Sequence, residues 1–157
     1  MKRYFLLLQM LCTSFALQAA TWTDPETNLT WSYEPIPQGV MITNISSYPE
    51  ILEIPATINN LPVKEIGYQT FYNCSFMTSV TIPEGVVEIG EAAFEHCVSL
   101  TSITFPKSLK RIDKHAFNNC KSLESIDIPK GLEYLGEGAF SACPSFVYDD
   151  SGATFEG

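Results

Sequence analysis

Cysteine and histidine are the residues of this chain best suited to nucleophilic or metal chemistry, and there are five of the first and two of the second. Four cysteines, Cys74, Cys97, Cys120 and Cys143, recur at a constant spacing of 23 residues. His96 precedes Cys97 directly, and His115 falls at a different place in the same spacing. A Cys–His pair could form a nucleophile, but only if the thiol is reachable and its proton is drawn away. Zinc needs ligands that converge at close spacing. No C-x-x-C or H-x-x-x-H occurs, and the chain also lacks G-x-S-x-G, a P-loop and a G-x-G-x-x-G opening a helix. Asp149-Asp150 offers two carboxylates for Ca²⁺ without the rest of a binding loop. No catalytic, cofactor-binding or metal-binding residue is assigned. The cysteines are expected to pack as buried small apolar groups, with disulfides between neighbouring coils as the alternative in an oxidising compartment. The sequence argues that a wall carrying these residues splays outward, which disfavours bridging.

The constant spacing has a structural origin. Ile66 to Cys74 reads IGYQTFYNC, and it returns as IGEAAFEHC from Ile89, IDKHAFNNC from Ile112 and LGEGAFSAC from Leu135. Around each copy, apolar residues keep fixed places. Val63, Val86, Leu109 and Leu132 form one row, and Phe71, Phe94, Phe117 and Phe140 another. Met77, Leu100, Leu123 and Phe146 form a third, and Val80, Ile103 and Ile126 a fourth. A fixed period of this length means a solenoid, in which one coil cannot bury its apolar side alone and stacking turns each place into a ladder.

The local pattern shapes the coil. Leu100-x-x-Ile103-x-Phe105 reads as a short strand with Thr101, Ser102 and Thr104 facing outward. Pro83-Glu84-Gly85, Pro106-Lys107-Ser108 and Pro129-Lys130-Gly131 are turns. Leu109 to Ile112 is a second extended piece, and His115 to Asn119 is expected to be a single helical or 3₁₀ turn. The outward strand places are Thr78, Ser79 and Thr81, then Thr101, Ser102 and Thr104, then Glu124, Ser125 and Asp127. They make a Ser/Thr-rich face turning acidic along the stack. Strand propensity and solvation account for such a face; a shallow concave recognition surface is the functional reading, and these nine residues are its candidate protein-binding positions. Tyr68, Tyr72, Tyr134 and Tyr148 are further candidate contact anchors, with ordinary partial burial as the alternative.

Met1 to Ala20 reads as a secretory signal peptide, with Lys2 and Arg3 before an apolar stretch and Ala19-Ala20 at its end. Residues 21–50 are expected to form an N-terminal β cap. Trp22-Thr23 and Leu29 to Tyr33 flank the turn formers Asp24-Pro25-Glu26-Thr27-Asn28 as a hairpin, and its aromatics should cover the open end of the stack. Pro35, Pro37 and Gly39 are expected to break the chain, and Val40-Met41-Ile42 to form a further strand. Residues 51–157 are the repeat domain. It opens with an irregular half-repeat whose extra residues, Ala56 to Leu61, read as a loop, and Val147 to Gly152 are read as a C-terminal cap. The formal charge is −9, more negative still without Lys2 and Arg3. Such a chain has no electrostatic footprint for nucleic acid or anionic lipid.

Leu100-x-x-Ile103-x-Phe105-x-x-Ser108 matches the frame L-x-x-L-x-L-x-x-N, and the chain carries I-x-x-x-A-F-x-x-C with I-P-x-G. In this it resembles the BspA-like leucine-rich repeats of bacterial surface proteins. The resemblance covers Val63 to Phe146 well and Ile51 to Pro62 in part. Asp113 stands where the other copies have Gly, and Thr70 where they have Ala. The fold class expected is a leucine-rich-repeat solenoid: a β-rich right-handed superhelix of 23-residue coils with short helical or 3₁₀ turns and an N-terminal β-hairpin cap. The resemblance implies an exported, non-enzymatic protein that binds or adheres at a bacterial cell surface. Its partners would be a host extracellular-matrix or surface protein, or an envelope protein. The competing expectation is a structural or assembly piece of the envelope with no external ligand.

Overall fold

A computed structural model describes residues 19–124 and 126–143 of the chain. The segment up to residue 18 that the sequence reads as a signal peptide, Ser125 and the expected C-terminal cap lie outside the described residues.

The N-terminal expectation of a hairpin is met and extended. Strands β1 (Ala20–Thr23) and β2 (Thr30–Ile36) pair antiparallel, with Trp22 opposite Trp31. Ala20, assigned above to the leader, pairs with Tyr33. Pro35 does not end β2. The strand runs through it to Ile36, and β3 (Gly39–Ile45) returns antiparallel after Pro37-Gln38. Proline is tolerated where a strand needs no donor from that residue. The cap is therefore a three-stranded meander. Trp31 and Tyr33 are buried in it and close the end of the core.

The irregular half-coil follows. β4 (Ile51–Glu53) leads to β5 (Thr57–Ile58) and β6 (Leu61–Ile66). The segment read as a loop is a tight hairpin, with Thr57 paired to Pro62 and Ile58 to Leu61. Asn59 and Asn60 turn it with φ of 51° and 63°, the left-handed pair that a two-residue hairpin requires and Asn tolerates. β6 then pairs parallel with β3. This joint is where the antiparallel cap becomes a parallel solenoid.

From there every coil adds a parallel strand to the larger sheet, and among the described residues the first two coils also add one each to a smaller parallel sheet. The larger runs β1-β2-β3-β6 and continues through β8 (Glu88–Ile89), β10 (Arg111–Ile112) and β11 (Tyr134–Leu135). The smaller is β4 with β7 (Ser79–Thr81) and β9 (Ser102–Thr104). Its rows are in register: Val80 beside Ile103, and Thr81 beside Thr104. Pro83, Pro106 and Pro129 each accept a bond from the residue three on, which makes the predicted turns. Ser108, at the ninth place of the repeat frame, joins coils through its hydroxyl. Its Oγ accepts from Gly85 N at 2.9 Å and donates to the Val86 carbonyl at 2.7 Å.

The third side departs from expectation. Among the described residues it holds turns and no helix. Alternate amides point along the stack: Gln69, Phe71 and Asn73 donate to the carbonyls of Glu91, Ala93 and Glu95, at 2.8–3.1 Å. The amides of Tyr72 and Cys74 close turns back to Gln69 and Phe71. The same scheme recurs from Ala92 and from His115. It needs two left-handed residues per coil, and they are Gln69 and Asn73, Ala92 and His96, His115 and Asn119, all with φ between 52° and 62°. A left-handed residue every fourth position cannot continue a right-handed helix. The wall consequently does not splay. It is bonded coil to coil as the strands are.

Inside, the phenylalanines stack. Centroids of Phe71–Phe94, Phe94–Phe117 and Phe117–Phe140 lie 4.9, 5.1 and 5.1 Å apart. That spacing matches the roughly 4.8 Å between strands. Two departures from the repeat now have reasons. Thr70, in the place of Ala, donates its hydroxyl toward the Ile42 carbonyl at 3.0 Å and the Gly67 carbonyl at 2.9 Å, tying the first coil to the cap. Asp113, in the place of Gly, accepts from Lys114 N and from Arg111. Above it Gly136 has no room for a Cβ, which would overlap the backbone of Asp113 and Lys114.

Phe94 is wholly buried between two stacked rings, so Phe94→Ala is expected to cost about 3–5 kcal/mol. The loss at the terminal ring of the ladder, Phe140→Ala, is expected to be smaller. Urea midpoints of the two variants check the order.

Candidate functional site: the exposed strand face and the turn wall

The nine candidate positions are placed as follows. Ser79 and Ser102 are neighbours in register, as are Thr81 and Thr104. Thr81, Thr101, Ser102 and Thr104 are exposed, and Thr78 and Ser79 are half-buried. Several hydroxyls are engaged in joining coils. Thr101 Oγ1 donates to the Thr78 carbonyl at 3.0 Å, Thr78 Oγ1 to the Glu50 carbonyl at 3.2 Å, and the Ser102 and Ser79 hydroxyls pair at 3.1 Å. Glu124 and Asp127 are exposed but lie in no strand, and Ser125 is outside the described residues. The strand face thus spans β4, β7 and β9 among the described residues.

Sequence reasoning missed that β4 extends this face on the other side. Ile51 lies beside Ser79 and Glu53 beside Thr81. Ile51 is 67% exposed, an apolar side chain at the rim of a hydroxyl-rich surface. The Ile54-Pro55 pair, which rhymes with Ile82-Pro83, was the signal. Counting back from it sets Ile51 opposite Ser79.

The opposite sheet carries a charged row. Glu65 pairs with Glu88, Glu88 with Arg111, and Arg111 with Tyr134. The Arg111 guanidinium sits 3.8 Å over the Tyr134 ring and approaches Glu88 at 3.6 Å and Asp113 at 3.2 Å. Partial burial, then the Glu65 carboxylate, pushes the Glu88 carboxyl above its ordinary value, with Arg111 opposing. A shallow cavity of about 290 Å³ adjoins the row, lined by Ile36, Pro37, Gln38, Lys64, Glu65 and Val87.

Cys74, Cys97, Cys120 and Cys143 line the inside of the turn wall as free thiols. Cys97, Cys120 and Cys143 each donate to the carbonyl of a phenylalanine in the coil before, Phe71, Phe94 and Phe117, at 3.2–3.3 Å. Hydrogen bonding between neighbouring thiols, then burial, pushes the Cys74 and Cys120 thiols well up. Cys143 is half-buried, and the Cys120 thiol beside it holds it below the ordinary thiol value. His96 faces outward on the same wall. Its Nδ1 lies 2.5 Å from Asn119 Nδ2, its ring stands edge-on to Tyr72 at 5.6 Å, and its Nε2 is 3.8 Å from Glu95. Among the described residues no three His, Cys, Asp or Glu side chains converge as a metal site. No described helix is long and apolar enough to cross a membrane.

Two parallel ladders joined by proline turns and a bonded turn wall, repeating every 23 residues, define a leucine-rich-repeat β-solenoid. Residues 50–149 match the model of the BspA type leucine-rich repeat region in six copies, and the chain belongs to that family. A T. pallidum leucine-rich repeat protein superposes with a TM-score of 0.72 at 35% identity, over 74% of this chain and 56% of its own. One from Bacteroides ovatus gives 0.71 at 32%, over 81% and 35%. A leucine-rich cell-surface protein of Faecalibacterium prausnitzii gives 0.59 at 26%, over 82% and 41%. The chain therefore spans between about a third and just over half the length of these relatives. No functionally curated protein matches it.

Iodoacetamide on the native protein is expected to alkylate Cys143 first, with Cys74, Cys97 and Cys120 following only after urea. The Cys143 rate should rise with pH through a midpoint below that of an ordinary thiol, because its thiolate forms more readily there. Peptide mass spectrometry over a pH series reads both. Equal rates at Cys97 and Cys143 would contradict the buried ladder.

Proposed function

We propose that this chain is an exported, non-enzymatic scaffold that binds protein at a bacterial cell surface through the β4–β7–β9 face. The observation carrying this reading is the in-register alignment of Ser79 with Ser102 and Thr81 with Thr104 on a rigid sheet, with Ile51 at its rim. Short hydroxyls give adaptable hydrogen bonding with little entropy lost on ordering, and a rigid sheet holds them in place. Such a face suits an extended surface of a partner protein. The partner class is a host extracellular-matrix or surface protein, or an envelope protein. Family membership supports the scaffold reading, and a cell-surface relative supports the location. The face is small, so useful avidity would come from several copies displayed together.

The test is a pull-down with the mature chain against a host matrix fraction and an envelope fraction, followed by titration of whatever is retained. The Thr101→Lys/Thr104→Lys double variant is expected to weaken binding about tenfold or more by placing two long charged chains on the face. Unchanged affinity would remove this face from the reading. Capture from the envelope fraction alone would redirect it to a role in envelope assembly.

A further inference from the structure

Tyr68, Tyr72 and Phe76 stand four residues apart on the turn wall of the first regular coil and are 63%, 43% and 83% exposed. The repeat explains none of them. The second coil holds Glu91, Glu95 and Ser99 at these places, and the third Lys114, Asn118 and Ser122. The wall therefore folds with polar residues there, and its core rows lie on the inner side. Grouped large apolar side chains left in water mark interaction surfaces, and tyrosine is over-represented in them.

Charge selects the partner. From residue 19 to residue 106 the chain has ten carboxylate residues and one cation, Lys64. Lys64 lies in the cavity by the opposite sheet. The aromatic turn has carboxylates on both sides. Exposed Glu91 belongs to the next coil, with its carbonyl on Gln69 N at 3.1 Å, and Glu95 stands beside Asn73 with its carbonyl on that amide at 2.8 Å. The Glu95 side chain is held by Asn118 Nδ2 at 2.7 Å. On the side of the cap lies exposed Glu50, whose backbone carbonyl accepts from the amide of Thr78, two residues beyond Phe76, at 2.7 Å. The nearest cation in the Tyr68 row is Lys114, two coils along. Aromatic faces attract guanidinium and ammonium groups, and flanking carboxylates add pairing and steering.

We propose that the turn wall of the first regular coil is a second docking surface, separate from the strand face, for a basic Arg- or Lys-containing segment of a partner protein. The rings take the cationic heads and their aliphatic stems, and the exposed Glu91 pairs the charge.

Fluorescence anisotropy with a labelled peptide alternating Arg and Leu, and a Glu–Leu peptide of equal length as control, tests this on the mature chain. The Arg peptide is expected to bind saturably and the Glu peptide not. Tyr72→Asn/Phe76→Ser installs what the third coil already carries, so its melting temperature should hold while affinity falls about tenfold or more. Glu91→Gln should weaken binding less and flatten its salt dependence. Thr104→Ala, on the strand face, should leave it unchanged, which keeps this surface distinguishable from the first. The proposal fails if the double variant binds as tightly, or if both peptides bind equally. It also fails if the Arg peptide does not bind while Phe76→Ser abolishes self-association, an outcome that assigns the patch to a second copy of this chain.

Discussion

Everything in this molecule depends on the distance from one coil to the next. Parallel strands set it at about 4.8 Å, and the phenylalanine rings repeat it at 4.9–5.1 Å. At that distance each side chain rests on its own equivalent 23 residues away. A ring must sit on a ring of like size, a thiol beside a thiol, and a backbone carbonyl against a backbone amide. Variation is free only where side chains leave the stack. This is why Phe71, Phe94, Phe117 and Phe140 are identical while Tyr68, Glu91, Lys114 and Glu137 are not.

The same constraint governs the beginning of the stack. A parallel ladder cannot start from nothing, because its first strand would expose a row of unpaired backbone groups. Here β3 supplies the partner for β6, and Thr70 adds a side-chain bond to the Ile42 carbonyl where the later coils need only Ala. The buried Trp31 and Tyr33 cover the apolar end. The departures of the first coil from the repeat are therefore of two kinds. Thr70 serves the joint with the cap, whereas Tyr68, Tyr72 and Phe76 stand exposed on the turn wall, Tyr72 with its ring edge-on to His96.

Chemistry follows from position in the coil. The Cys97 and Cys120 thiols are buried inside the wall and donate to phenylalanine carbonyls, which makes them packing rather than nucleophiles. Hydroxyls on the strand face divide their work between stitching coils and meeting solvent. The acidic bias of residues 19–106 and the near balance of charge beyond it give the two ends of the stack different electrostatic character. A surface built from one repeating unit thus acquires distinct regions by changing only its outward residues.

Much of the architecture was legible in the sequence. The period, the buried rows, the proline turns and the hairpin of the cap all follow from spacing and residue type, because a solenoid writes its geometry into its repeat. The Ser/Thr strand positions were legible for the same reason. What the sequence did not settle lies where bonding partners are remote. His115 to Asn119 has the length and composition of a helical turn, and only the His115, Phe117 and Asn119 amides donating to the next coil, with His115 and Asn119 left-handed, make it a bonded wall. Asn59-Asn60 reads as loop until β6 is there to pair with β5. Exposure of Tyr72 and Phe76 is likewise a tertiary fact, since a tyrosine or phenylalanine in a chain is equally suited to a core or a surface. Local propensity and periodicity are properties of the chain itself. Which groups are left to meet solvent or a partner is decided only once the neighbouring coil is in place.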